Sequence, residues 1–250
     1  MSMKVLVCIS NVPDTTTKIK FSDDHLSLDK EGVQFVINPY DEFGLTRAVW
    51  LKEKQGAEVC ALNVGGPETE PTLRKALAIG ADRAIRVNAG PSDSFFVARQ
   101  IAAEVEKGAY DLVITGRESI DYNGGQVGGM LAALLQWPFV NACVGMEIEG
   151  SEATLIREID GGKEKLRSAL PMVIGGQKGL VEESDLRIPN MRGIMQAKRK
   201  ELKVVEPVES EYRTQSGTYS KPAAKSAVKM VSAENMDELV RLLHEEAKVI

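Results

Sequence analysis

Residues 111–130 decide the fold, and they read DLVITGRESIDYNGGQVGGM. The opening DLVITG is a compact apolar run, which is typical of a buried strand in a parallel sheet. Four glycines then fall within residues 124–129, directly before an apolar segment that predicts a helix over 126–135. Glycine lets the backbone approach a ligand closely, and free N–H groups at a helix start bind phosphate. The stretch therefore predicts a phosphate-binding turn. It matches neither the Walker A nor the GxGxxG pattern, so a glycine-rich turn without a ligand stays open.

The same alternation of strand and helix extends along the first half of the chain. Pro39 stands just before an acidic first turn, which marks a helix start. Strands alternating with helices at this spacing predict βαβ units, and hence an α/β, Rossmann-like parallel sheet with helices on both faces. Functional loops are then expected at the carboxyl ends of the strands. The predicted strands cover 4–9, 57–65, 83–87 and 111–116, and the predicted helices cover 41–54, 69–79, 92–107 and 126–135.

The pattern changes after residue 140. Residues 144–150, 153–162 and 163–176 alternate polar and apolar side chains around turns, and predict an antiparallel meander added to the sheet. We therefore divide the chain into an α/β domain, residues 1–205, and an extended arm with a C-terminal helix that is expected to dock on a partner subunit, residues 206–250.

Residues 206–229 of this arm are rich in Pro, Ser, Thr, Lys and Gly, which is typical of a linker. A short amphipathic helix is predicted over 233–248, with Ser232 or Asn235 as its cap. A lone helix cannot bury its own apolar face, so it docks either on its own domain or on a partner subunit. That face contains Met236, Leu239, Leu242 and Leu243.

Composition argues against several classes of function. A net charge of −5 provides no basic field for binding nucleic acid. Only two histidines, His25 and His244, are available for a catalytic set. The three cysteines (Cys8, Cys60 and Cys143) lack the spacing of a metal site, and they are interpreted as free thiols in a reducing cytosol. No segment reaches the ~18 apolar residues of a membrane span, and the N-terminal apolar run is too short for a signal-peptide core. A cytoplasmic location is therefore expected.

Two further segments are candidate sites. Residues 38–42, Asn-Pro-Tyr-Asp-Glu, enter a helix where a strand ends and could line the same crevice, although helix capping alone would explain them. Residues 191–200, MRGIMQAKRK, contain two methionines and an isoleucine beside a basic run. Methionines make adaptable contact surfaces, and the charges could steer an acidic partner. A solvated basic turn with buried methionines is the alternative.

Taken in order, these segments resemble the beta subunit of electron transfer flavoproteins, over nearly the whole chain. The ordered set is far more specific than any single member. The segments are VLVCISNVPD (5–14), INPYDE (37–42), LRKALAIGADRAIRV (73–87), DLVITGRESID (111–121), REIDGG (157–162) and IMQAKRK (194–200).

The resemblance implies that residues 1–205 are an adenine-nucleotide-binding α/β domain with an adenine nucleotide alpha hydrolase-like fold, and that the chain forms a heterodimer with an alpha subunit. In that family the alpha subunit mainly holds FAD and the beta subunit commonly holds a structural AMP. The complex takes electrons from dehydrogenases such as acyl-CoA dehydrogenases and passes them to a membrane quinone oxidoreductase. The beta chain would be an electron-carrier subunit with no acid–base catalyst of its own. Alternatives are an electron-bifurcating subunit with a second FAD, or a stand-alone adenine-nucleotide-binding protein. Only in a eukaryote would a mitochondrial matrix location be expected.

The resemblance also assigns residues. Cys8 would bind the nucleotide through its backbone, and the loop from residue 121 to 130 would surround the phosphate. Met191 occupies the position of a protruding apolar residue on the dehydrogenase recognition loop, and Glu164 that of an acidic residue facing the flavin domain. The nucleotide site would comprise Cys8, Asn38, Pro39, Tyr40, Asp41, Val64, Asp121, Asn123, Gly124, Gly125, Gln126, Val127, Gly128, Gly129 and Met130, and the partner site Met191, Ile194, Met195 and Glu164.

Three departures from the family pattern bear on the choice of nucleotide. Ser10 and Asn11 replace a basic pair, and Thr15 replaces a tyrosine that some members place near the flavin. The loop at residues 123–129 reads NGGQVGG, which differs from the commoner Asn-Gln-Thr-Gly-Gln of AMP-binding members and also lacks the Thr in the Asp-Thr-x-Gln of bifurcating members. AMP is therefore favoured over a second FAD.

Overall fold

A nine-stranded sheet forms the centre of the computed structural model, which describes residues 2–90, 93–224 and 227–250. A separate pair of short strands, Asn11–Pro13 and Phe35–Ile37, is antiparallel. The strands are β1 (Lys4–Cys8), β2 (Asn11–Pro13), β3 (Phe35–Ile37), β4 (Glu58–Val64), β5 (Arg83–Val87), β6 (Leu112–Gly116), β7 (Phe139–Glu149), β8 (Glu152–Ile159), β9 (Gly162–Ala169), β10 (Met172–Gly176) and β11 (Leu202–Val205). The helices are α1 (Pro39–Gln55), α2 (Glu70–Ile79), α3 (Ser94–Gly108), α4 (Val127–Leu135), α5 (Met191–Ala197) and α6 (Met236–Arg241).

The strand order is β11-β5-β4-β1-β6-β10-β7-β8-β9. Every neighbouring pair from β11 to β7 is parallel, whereas β8 and β9 are added in antiparallel fashion. The predicted α/β class, with a mostly parallel sheet and an antiparallel addition, is confirmed.

Strand β1 shows why both faces of the sheet are covered. Its side chains alternate, so Val5 and Val7 pack with the buried residues of α1 and α2, and Leu6 and Cys8 pack with those of α3 and α4. A strand that is buried on both sides needs a continuous apolar run rather than an alternating one. This requirement explains the sequence KVLVC.

The helix ends follow the local signals. Helix α1 begins with Pro39 at its first turn and ends at Gly56, whose φ of 71° lies in the left-handed region that favours glycine. Helix α3 is capped by Asp93, whose carboxylate accepts the Phe96 N–H at 2.7 Å. Residue 92, the predicted start of α3, lies outside the described residues.

Part of the predicted meander is wrong. Strands β7, β8 and β9 form it, but Met172–Gly176 is β10, a fully buried strand lying parallel between β6 and β7. Its apolar run was the signal for a central strand. Helix α5 and edge strand β11 were not predicted from the polar stretch 181–203. Both are short, so neither has an extended periodic pattern.

In the C-terminal arm, residues 206–224 and 227–235 contain no helix or strand. Asn235 caps α6 by accepting the Glu238 N–H at 3.2 Å, and a π-helical turn, Leu242–Ala247, continues it. Leu242 is buried, while Met236 and Leu239 remain exposed. Residues 225 and 226 of the predicted linker lie outside the described residues. No helix in the described part of the chain is long and apolar enough to cross a bilayer.

Candidate nucleotide-binding crevice

The order in which the chain adds strands to the sheet reverses beside β1. The chain places β4 and then β5 on one side of β1, and β6 on the other side. The loops that leave β1 and β6 therefore diverge and open a crevice at the carboxyl ends of these strands, where α/β proteins of this type bind ligands. The predicted nucleotide residues fall into three groups around this crevice: the end of β1, the start of α1 and the loop after β6.

Asp41 joins these three groups. Its carboxylate is buried and accepts two backbone N–H groups, from Ser10 at 2.6 Å and from Gly116 at 2.8 Å. Ser10 follows β1, and Gly116 ends β6. Asp41 thus fixes the width of the crevice floor by bridging both strands from the first turn of α1. The prediction that residues 38–42 line the crevice agrees with this placement, but the Asp41 carboxylate is occupied by the protein's own amides.

Burial raises the pKa of Asp41 to about 7, even though the amide of Ser10, the Asn38 side chain and the amide of Gly116 all favour its ionised form. The folded chain consequently holds this proton more tightly than the unfolded chain does. Ionising Asp41 in the folded state then costs free energy. The contribution of Asp41 to the free energy of unfolding therefore falls as the pH rises from the pKa of the unfolded state to the pKa of the folded state. The pKa of the neighbouring Cys8 thiol is also raised, first by burial and second by the charge of Asp41.

Asp41→Asn tests the bridge. The Oδ1 of asparagine can still accept one backbone N–H group, but its Nδ2 is a donor and cannot accept the second. We therefore expect a loss of ~1–3 kcal/mol in the free energy of unfolding. The difference from wild type should be largest below about pH 4 and shrink towards about pH 7, because across that interval the wild type loses stability as Asp41 ionises and the variant does not. Urea unfolding across this range measures it.

Glu42→Gln is the matched control, since Glu42 forms a partly exposed ion pair with Lys75 at 2.9 Å. Such pairs contribute only ~0–1 kcal/mol. Parallel stability–pH curves for Asp41→Asn and wild type would contradict the raised pKa.

Asn38 ties the start of α1 to the loop after β6. It is fully buried; its Nδ2 donates to the Glu118 carbonyl at 2.8 Å, and its Oδ1 accepts the Ile120 N–H at 3.3 Å. The neighbouring side chain, Tyr40, lies beside Gly116, where an added Cβ would come within 2.9 Å of the Tyr40 Cβ. The structure thus brings Asn38, Tyr40 and Asp41 together at the start of α1, beside the end of β6.

The glycine loop, residues 117–126, leaves β6 and leads into α4. A bridge between Ser119 and Gly124 narrows it, and Asn123 adopts a positive φ of 49°. Asp121, Asn123, Gly125 and Gln126 are exposed. The loop therefore presents mostly backbone and small polar groups at the mouth of the crevice.

The first turn of α4 supplies free amides. Its first helical hydrogen bond runs from the Met130 N–H to the Gln126 carbonyl at 3.0 Å, and no side chain caps the helix start. The amides of residues 127–129 therefore lack partners within the helix. Gly128 itself is buried, and an added Cβ would lie 2.8 Å from Thr115 Oγ1. Its lack of a side chain lets α4 pack closely against β6.

Two residues at the end of β4 complete the crevice. Val64 is buried beside the end of β1, as expected for a residue lining the floor. Asn63 was missed from the sequence. Its Nδ2 donates to the Ile9 carbonyl at 2.8 Å, but its buried Oδ1 has no hydrogen-bond partner among the described residues. An Asn at the end of an apolar strand was the available signal, since polar groups are rarely buried there without a reason.

The predicted partner-binding residues lie away from the crevice. Met191, Ile194 and Met195 are exposed on α5, with 75% of Met191 accessible. Helix α5 packs on α2, where Arg74 donates to the Ala197 carbonyl at 2.8 Å. Glu164 lies on β9, the outer strand at the opposite end of the sheet, and pairs with Arg157 at 2.6 Å. The methionines are therefore not buried, in contrast to the alternative interpretation of this segment.

Comparison with known proteins identifies the family. The protein-family model of the electron transfer flavoprotein domain matches residues 25–210 of this chain. The electron transfer flavoprotein subunit beta of Bacillus subtilis is 34% identical, covering 99% of this chain and 100% of its own length. The chain belongs to the electron transfer flavoprotein beta-subunit family. The human subunit beta is 37% identical over 82% of both chains, and that of Syntrophomonas wolfei is 35% identical over 91% of this chain and 89% of its own.

Membership agrees with the resemblance drawn from the ordered segments, and the family match spans the crevice from Asn38 to the end of α4. It also includes α5, so the α1 and β6 sides of the crevice and the exposed methionines all lie within the matched residues, whereas the end of β1 precedes them. The coarse role follows directly: this is a beta-type chain of an electron transfer flavoprotein, and its family name as a subunit implies an alpha partner.

Proposed function

We propose that this chain forms a heterodimer with an alpha subunit, holds AMP in the crevice as a structural ligand, and leaves FAD mainly to the alpha subunit. In this role the pair carries electrons from dehydrogenases, such as acyl-CoA dehydrogenases, towards a membrane quinone oxidoreductase. The chain acts as a carrier subunit rather than as an enzyme. The observation that carries the proposal is the open α4 start at the crevice mouth in a chain of this family.

The residues present fit a mononucleotide. A phosphate needs N–H donors, and the free amides at positions 127–129 provide them. The dipole of α4 also favours an anion at this end of the helix. The unpartnered Asn63 Oδ1 supplies a buried acceptor, suited to an amino group such as that of adenine. The bridge made by Asp41 and Asn38 keeps the crevice rigid before binding, which reduces the ordering cost.

FAD, when bound by the pair, supplies the redox chemistry, and AMP supplies none. The residues of this chain then have binding and positioning tasks only. Asn38 and Asp41 hold the crevice floor, the glycine loop surrounds the anion, and the sheet extension places Glu164, paired with Arg157, on the surface offered to the flavin-bearing domain.

Helix α5 and its surroundings support docking of a dehydrogenase. A groove of about 590 Å³ lies between α2 and α5, lined by Pro71, Arg74, Lys75, Ala78, Pro189, Ile194, Ala197 and Lys198. Its floor is apolar and its rim is basic. Such a surface suits an apolar contact surrounded by acidic groups on a partner, because opposite charges increase the association rate.

Nucleotide content tests the proposal. We expect the chain, co-expressed with its alpha subunit, to give a yellow heterodimer containing one FAD and one AMP after acid extraction and chromatography. Two FAD per heterodimer would support electron bifurcation instead. Failure to form a coloured heterodimer, together with ATP turnover by the lone chain, would support a stand-alone nucleotide-binding protein and overturn the proposal.

A further inference from the structure

The first half of the C-terminal arm lies on this chain's own domain. Gln100, on the second turn of α3, is only 1% exposed and pairs with the arm backbone at Val208. Its Nε2 donates to the Val208 carbonyl at 2.9 Å, and its Oε1 accepts the Val208 N–H at 2.7 Å. A buried amide whose donor and acceptor both serve one backbone unit holds that unit firmly in place.

A second anchor follows at the start of α3. Asp93 caps α3 with one carboxylate oxygen, and its other oxygen accepts the N–H groups of Arg213 at 2.6 Å and Thr214 at 2.8 Å. The guanidinium of Arg213 also lies 3.9 Å from the centre of the Phe95 ring. Since Asp93 stands beyond the carboxyl end of β5, the arm reaches the same edge of the sheet as the crevice.

A third anchor lies on the other side of the crevice. The Tyr219 N–H donates to the His25 carbonyl at 2.7 Å, and the Tyr219 ring stacks on Phe21 with centroids 5.5 Å apart. The hydroxyls of Tyr219 and Tyr122 share a hydrogen bond at 3.4 Å. Tyr122 belongs to the glycine loop after β6, directly before Asn123.

The anchors define the path of the arm. Strands β5, β4, β1 and β6 are neighbours in that order, so the loops after β5 and β6 are three strand spacings apart, about 14 Å. The five residue-to-residue steps from Thr214 to Tyr219 span at most about 17–18 Å when the backbone is extended. The segment therefore has little slack, and it must run across the carboxyl ends of β4 and β1, which border the crevice.

We propose that residues 208–219 form a strap that closes the nucleotide crevice, and that the Tyr219–Tyr122 contact is the latch that holds the glycine loop beneath it. This inference rests on the proposed function, because it concerns release of the ligand assigned to the crevice. Gln100 and Asp93 hold the strap at the start of α3, while the latch alone reaches the glycine loop, which leads into the α4 amides assigned to the phosphate. Release then requires the latch to open, a local event of the kind that exposed loops undergo readily.

The test uses the full-length heterodimer loaded with radiolabelled AMP and chased with excess unlabelled AMP. Tyr219→Phe removes only the hydroxyl, and we expect release to accelerate about twofold, because the contact at 3.4 Å is longer than an ordinary O–H···O hydrogen bond. Tyr219→Ala also removes the ring that stacks on Phe21, so an acceleration of at least about tenfold is expected. Tyr122→Phe should match Tyr219→Phe, and the double Phe variant should add nothing further.

Tyr212→Phe is the matched control, because it deletes a hydroxyl from the same strap that makes no hydrogen bond among the described residues, while its ring stays near Phe96. It should release AMP at the wild-type rate. Unchanged release by the Tyr219 variants, with wild-type AMP content, would overturn the strap alone. A wild-type heterodimer that retains no AMP would instead overturn the proposed function, and with it the role of the strap.

Discussion

Gly116→Ala is expected to destabilise the chain by roughly 3–5 kcal/mol and to abolish retention of AMP. An added Cβ at this position would collide with the Asp41 carboxylate, and it would come within 2.9 Å of the Tyr40 Cβ and 3.0 Å of the Asn38 Nδ2. Real Cβ atoms essentially never approach neighbours so closely, so the start of α1 must move away from β6. That movement breaks the bridge made by Asp41 and distorts the crevice. Urea unfolding and AMP content measure the two effects.

Gly124→Ala is the control for this substitution. Gly124 lies in the glycine loop, and an added Cβ would meet only ordinary contacts, 3.7 Å from Tyr122 and 3.8 Å from Ser119. It should stay within about 0.5 kcal/mol of wild type, as surface changes usually do. Because Gly116 and Asp41 share one set of contacts, the losses from Gly116→Ala and Asp41→Asn should combine less than additively. Additive losses, or a stable Gly116→Ala chain with full AMP, would contradict the bridge.

The parallel half of the fold was predictable because each of its elements carries a strong local signal. The run KVLVC needs burial on both faces, and the glycine at position 56 ends α1 where the helical pattern stops. Met172–Gly176 has the same kind of run, yet it follows a meander in sequence. Its position between β6 and β7 depends on long-range pairing that local pattern does not contain.

The candidate site was predictable in location but not in mechanism. Residues 38–42 and the glycine loop were expected to line one crevice, and the structure brings Asn38 and Asp41 to it. The sequence could not indicate that the Asp41 carboxylate binds the amides of two separate strands, since those amides are 31 and 75 residues away. Nor could it place Tyr219 next to Tyr122, which are 97 residues apart. Contacts of this range depend on the sheet order.

Met191→Ala is expected to lower kcat/KM for reduction by an acyl-CoA dehydrogenase by ~30-fold, with little change in folding. An exposed apolar side chain that anchors an interface typically contributes ~2 kcal/mol or more. Met191 is 75% exposed at the start of α5, and the helix is capped independently, by Asn190 accepting the Gly193 N–H at 2.7 Å. Truncation should therefore leave α5 in place and remove only the contact with the partner. Steady-state assays of the heterodimer with a cognate dehydrogenase measure the effect.

Met230→Ala provides the comparison, because Met230 is 85% exposed but lies on the arm, away from α5. Equal losses of kcat/KM in Met191→Ala and Met230→Ala would mean that removing any exposed methionine impairs the reaction, which would contradict a docking surface on α5. The basic rim of the groove adds an independent check. Raising the ionic strength should slow association with an acidic dehydrogenase in wild type and in Met191→Ala alike, because screening acts on the charges of Arg74 and Lys198 and not on the methionine. If Met191→Ala abolished the salt dependence, the charges that attract the partner would lie elsewhere. That result would refute the combined assignment of Met191 as the anchor and of the groove rim as the basic surface.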